Sequence, residues 1–128
     1  MTRINLVNPA DLTDKHLLAE LRELPRIFSY VEKHGIPENL PTQYVLGKGH
    51  MKFFTDKLTW LFSRWCVLRR EWVDIRGFKY ELTPNDINRK YGHLFAKEQA
   101  TEYIPTNYEI SLNVERINNR LQKTGEIV

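Results

Sequence analysis

The chain has 128 residues, 41% hydrophobic and 27% charged, with 19 Lys and Arg against 16 Asp and Glu for a formal charge of +3. That length and apolar share suit one core, so a single domain over residues 1–128 is expected, and the composition is neither disordered nor fibrous. No apolar run nears the roughly 18–20 residues that span a bilayer, the first residues are no secretory signal, Cys66 stands alone, and no His or Cys pair has zinc spacing. A soluble, intracellular protein without membrane attachment, disulfide or metal is expected.

Hydrophobic periodicity then marks three helices in chain order. In the first, Leu17, Leu21, Leu24, Phe28 and Val31 recur at steps of four and three, with Asp11, Thr13 and Asp14 as N-cap candidates and Gly35 and Pro37 as the stop. Pro25 falls inside this pattern, where it would remove the bond to the Leu21 carbonyl at a cost of about 3 kcal/mol, so a compensating contact is expected. The second stripe runs Phe54, Leu58, Leu61, Trp65, Leu68, Trp72 and Ile75 and closes at Gly77. In the third, Thr106 and Glu109 stand in capping-box spacing ahead of Ile110, Val114, Ile117 and Leu121. Strand alternation is not convincing anywhere. The expected fold is all-α, with three main helices joined by the long loops Gly35 to Lys48 and Gly77 to Tyr103. Within the second loop, Thr83-Pro84-Asn85-Asp86 reads as the start of a further helix.

Three places stand out chemically. Between Gln43 and Arg70, Lys48, Lys52, Lys57, Arg64, Arg69 and Arg70 oppose Asp56 alone, six cations less one anion, which suits either a phosphate-facing surface or a solvated helix face. His50, beside Gly49, is a candidate for contacting a phosphate or for capping the second helix. On the first helix His16, Glu23, Arg26 and Tyr30 fall opposite the apolar stripe with Arg22 on the flank, so a carboxylate is bracketed by two guanidiniums. An exposed salt-bridged face would look the same. The third is the amino terminus. Removal of Met1 would leave Thr2 with a free α-amine whose pKa near 7.7–8.0, against about 10.4 for lysine, gives it a few hundred times more neutral nucleophile near pH 7.

The segments Met1-Thr2-Arg3-Ile4-Asn5-Leu6, Asp14-Lys15-His16-Leu17 and Arg22-Glu23-Leu24-Pro25-Arg26 together resemble the pyrimidine dimer DNA glycosylases and abasic-site lyases of the T-even bacteriophage type. The likeness continues in Leu46-Gly47-Lys48-Gly49-His50, Phe53-Phe54, Asp56-Lys57-Leu58, Arg76-Gly77-Phe78 and Tyr103-Ile104-Pro105. The resemblance implies a compact helical fold with the amino-terminal segment threaded between helices. It makes Thr2 the nucleophile at C1′ of the damaged nucleotide and Glu23 the essential acid. It also gives Arg3, His16, Arg22, Arg26, Arg116 and Arg120 to a double-stranded damaged DNA partner, with Lys48 and His50 of the basic run as further candidates for that side. No cofactor is implied, and a monomer in the host cytoplasm is expected.

Two alternatives stand beside this one: a lyase or glycosylase restricted to abasic sites or another modified base, and a catalytically silent DNA-binding module. The phage relatives carry a tail dense in Trp and Tyr where this sequence has Lys123-Thr124-Gly125-Glu126-Ile127-Val128. Because stacking on an exposed base is worth about 1–3 kcal/mol, weaker discrimination for dimers, or a different lesion, is expected.

Overall fold

A helix begins where its first free N–H groups find an acceptor. The Thr13 hydroxyl accepts from the His16 N–H at 3.2 Å and opens α1, Asp14–Glu23. The computed structural model describes residues 3–97 and 101–124. Leu17, Leu21, Leu24, Phe28 and Val31 are all buried, as their spacing predicts. One kinked helix, however, is corrected to two, because α1 stops at Glu23 and α2 runs Pro25–His34 with the proline at its first position. There the missing N–H is one that no helix would satisfy, so the interior penalty does not arise. The Leu21 carbonyl that Pro25 leaves free accepts from the Trp65 indole N–H at 3.0 Å.

The run around Lys48 turns sharply, with Gly47 and Gly49 at φ of 70° and 90°. Only glycine takes such angles without strain, and a Cβ on Gly49 would also meet Pro41 at 3.2 Å. This turn delivers His50 to the start of a short helix, α3, His50–Phe53. The second long stripe is therefore also divided. Phe54 follows α3, while α4 spans Leu58–Arg70 and continues into a π-helical turn, Glu71–Ile75. The wider turn rotates Ile75 out of the stripe, leaving it 64% exposed rather than in the core. Arg76 then ties this end to the start of α1, bonding Glu71 at 2.9 Å, Asp14 at 2.7 Å and the Pro9 and Leu12 carbonyls.

Inside the second long loop, Thr83 and Asp86 exchange capping bonds and start α5, Pro84–Phe95. Helix α6, Asn107–Thr124, opens with the expected Thr106–Glu109 box. Its buried face is the expected one in part. Ile117 is buried and Ile110 half-buried against the core, but Val114 is exposed, Glu109 and Asn113 face inward as well, and the Leu121 side chain lies outside the described residues. Glu109 accepts from the Tyr44 N–H at 2.6 Å, and Asn113 faces the amino-terminal segment, which passes among the helices. The Ile4 N–H donates to His50 at 2.8 Å and its carbonyl accepts from the Tyr44 hydroxyl at 2.8 Å; the Leu6 N–H donates to Asn113 at 2.6 Å. Arg64 donates to the Val7 carbonyl at 2.6 Å. Side chains thus supply the partners that a neighbouring strand would supply in a sheet. The fold is all-α, and among the described residues no helix is long and apolar enough to cross a membrane.

Candidate active site

Extended chain alternates its side chains, and residues 3–6 use that alternation fully. Ile4 and Leu6 enter the core while Arg3 and Asn5 line a cleft of about 340 Å³. Helix α1 contributes His16, Ala19, Glu20 and Glu23 to its walls, at steps of three and four, and α6 contributes Arg116 and Arg120, four apart. Five of the residues expected on the DNA side or in catalysis (Arg3, His16, Glu23, Arg116 and Arg120) therefore meet at one place. Thr2 lies outside the described residues.

Sequence reasoning missed the polar floor of this cleft. Glu20 is buried and paired with Arg64, whose Nε and Nη2 lie 2.7 and 3.1 Å from its two oxygens. The Asn5 amide donates to Glu20 at 2.8 Å and accepts from Asn113 at 2.9 Å and Arg116 at 2.6 Å. With the Glu20 charge set against Arg64, the cleft holds Arg3, Arg116 and Arg120 against Glu23, a clear positive excess. Burial lowers the Arg116 pKa from its usual value, and the neighbouring Arg3 and Arg120 add to that. The Arg116 Nε is buried with no hydrogen-bond partner among the described residues. An incoming anion would relieve both. Chemically, the arrangement suits a phosphodiester held by guanidiniums next to one carboxylate.

The remaining candidates sit elsewhere. Arg26 lines a different, larger depression of about 590 Å³, with Tyr30, His34 and Lys52, because the break at Pro25 separates the faces of α1 and α2. Arg22 and Lys48 are exposed. The basic run from Lys48 to Arg70 is not one phosphate-facing surface. Arg64 is buried on Glu20, Lys57 bonds Asp56 and the Phe53 carbonyl, and Arg69 bonds the Leu82 and Tyr80 carbonyls. His50 is corrected from a DNA contact to an anchor. Its ring is 1% exposed, Nδ1 donates to the Val45 carbonyl at 2.7 Å, and Nε2 accepts from Ile4.

Burial drives the His50 pKa from 6.5 down to about 4. The unfolded chain therefore takes up this proton first as pH falls. The stabilisation is complete above about pH 6.5 and is lost on the way down to about pH 4, roughly 3 kcal/mol in all. Urea unfolding between pH 4 and 7 should show this slope in the wild type and lose it in His50→Gln. Parallel slopes in the two proteins would mean that His50 titrates normally in the folded state.

A family model described as pyrimidine dimer DNA glycosylase matches residues 1–87 of the chain. The match takes in the extended amino-terminal segment, α1 and α2, the glycine turn with His50, and α4.

Proposed function

This chain belongs to the pyrimidine dimer DNA glycosylase family, and from that premise we propose that the Thr2 α-amine carries the reaction, with Glu23 as its carboxylate and abasic-site cleavage as its second step. The observation that supports this is the pinned strand. Residues 4 to 7 are fixed by side chains from the loop at Tyr44 and from α3, α4 and α6, and Arg3 enters the cleft that holds Glu23. Arg3, the residue next after Thr2 in the sequence, thus lines the same cleft as Glu23, and this supports the reading.

In the proposed step the neutral amine attacks C1′ of the damaged nucleotide and the base leaves with the glycosidic electron pair and a proton. Loss of the amine proton and opening of the sugar ring give an imine at C1′. A C2′ proton is then removed, the C3′–O bond breaks, and the 3′ phosphate departs; water finally hydrolyses the imine. Glu23 stabilises the cationic sugar of the first step and moves the protons of the later ones. Arg3, Arg116 and Arg120 hold the phosphodiester at the cleft, and the exposed Arg22 and Arg26 hold flanking phosphates of a duplex. Reaching C1′ requires the duplex to be kinked or a nucleotide turned out, at a few kcal/mol per unstacked step. One copy of the chain suffices for all of this.

Borohydride added during reaction with an abasic-site duplex should trap a covalent adduct, and peptide mapping should place it on Thr2. Intact mass should show Met1 removed, since a retained Met1 leaves no Thr2 amine. An adduct on a lysine, or none, overturns the assignment.

A further inference from the structure

We propose that Asn5 is the positioning residue of this site: its side-chain amide locks the register of the extended amino-terminal segment against α1 and α6 and so fixes where Arg3 and Ile4 stand. The inference rests on the Thr2 reading for its catalytic consequence, though not for the register itself.

The argument is one of geometry. A strand pinned only by backbone bonds can slip, and a slip by one residue exchanges the two faces. Here that would drive Arg3 and Asn5 into the core and bring Ile4 and Leu6 into the cleft. Asn5 opposes it, because its amide has one donor that suits Glu20 and one oxygen that suits Asn113 and Arg116. No apolar neighbour in the strand can make those bonds. Asn5 is itself 4% exposed, and the Asn113 side-chain oxygen accepts a second bond from the Leu6 N–H at 2.6 Å. Glu20 is in turn fixed by Arg64, which also holds the Val7 carbonyl. Two helices therefore converge on one amide, with α4 behind Glu20 through Arg64, and its orientation is dictated by a carboxylate on one side and a guanidinium on the other.

Asn5→Ala removes all of these bonds. Asn5→Asp keeps the shape and the acceptor but sets a second carboxylate against Glu20. The charged groups around that pair are Arg64 from α4, Arg116 and Arg120 from α6, Arg3 of the amino-terminal segment, and Glu23 with His16 on α1. A proton shared between the two carboxylates at lower pH would restore the lost donor.

The test uses single-turnover borohydride trapping on an abasic-site duplex, with binding followed on a duplex carrying a reduced abasic site. Asn5→Ala should form adduct at least tenfold more slowly than wild type, with affinity within about threefold. For Asn5→Asp the deficit relative to wild type should shrink as pH falls from 8 to 5.5, while that of Asn5→Ala stays constant. Amide hydrogen exchange should accelerate at least tenfold at Ile4 and Leu6 in Asn5→Ala relative to the Leu61 and Leu68 amides of α4. Wild-type trapping rates in Asn5→Ala, a pH-independent deficit in Asn5→Asp, or unchanged exchange at Ile4 and Leu6 would each overturn the proposal. A wild type that gives no adduct at Thr2 would defeat the reading of the nucleophile instead, and the exchange measurement then decides the register claim alone.

Discussion

Glu23→Gln is expected to slow base release by about two to four decades, the range for removing a positioned proton-transfer group. The substitution keeps size and shape and removes only the charge. Glu23 ends α1, lines the cleft and lies outside the apolar core, so stability should change by less than about 1 kcal/mol. Binding to duplex should stay equal or become slightly tighter, because a carboxylate near phosphates repels them and glutamine does not. That combination, lost chemistry with intact or improved affinity, separates a catalytic carboxylate from one that merely balances the arginines around it. Single-turnover release of the base at saturating protein, with binding followed separately, measures both. A rate within tenfold of wild type would remove Glu23 from the chemistry.

Much of the fold was legible because burial is steeply periodic. Leu17 and Leu21 on α1 with Leu24 just past its end, and Leu61, Trp65 and Leu68 on α4, sit where their spacing puts them. The break at Pro25 was not legible, since Ile27, Phe28 and Val31 of α2 continue nearly in phase with α1 and two abutting helices then show the same stripe as one. The face shared by Glu23 and Arg26 was an artefact of that continuity. Periodicity put His16 and Glu23 on one face of the first helix, and the resemblance added Arg3, Arg116 and Arg120 to them. A physical signal for the floor of the cleft was nevertheless present. Glu20 stands among Leu17, Leu21 and Leu24, and Arg64 among Leu61, Trp65 and Leu68, each three residues after a stripe leucine. Opposite charges at matching places in two stripes that must pack together point to a buried pair. Asn5 carried a fainter mark, the alternation Arg3-Ile4-Asn5-Leu6, too short to read as a strand without knowing what surrounds it. His50 was illegible in a different way, because composition says that a histidine lies in a basic run but not which way its ring points.

The buried pair supports the second large effect. Glu20 and Arg64 have side chains 1% and 7% exposed, and Arg64 also carries the Val7 carbonyl. Arg64→Ala takes the paired guanidinium from the buried Glu20 carboxylate, leaves the Asn5 amide as its hydrogen-bond partner among the described residues, and frees the Val7 carbonyl. Breaking a buried pair by removing one partner costs about 3–5 kcal/mol. For a chain of this length that corresponds to a melting shift on the order of 10–20 °C. The cost lies in the uncompensated charge and not in any large net attraction, so removing both charges should recover much of it. Glu20→Gln with Arg64→Met keeps an oxygen for Asn5 and fills the volume with an apolar chain, and it should melt well above Arg64→Ala. Thermal and urea unfolding of the three proteins separates these contributions. A loss below about 1 kcal/mol in Arg64→Ala would mean that water reaches Glu20 in solution and that the pair is not a closed one. If the double variant melts no higher than Arg64→Ala, the bond from Arg64 to the Val7 carbonyl, and not the ion pair, holds the strand to α4.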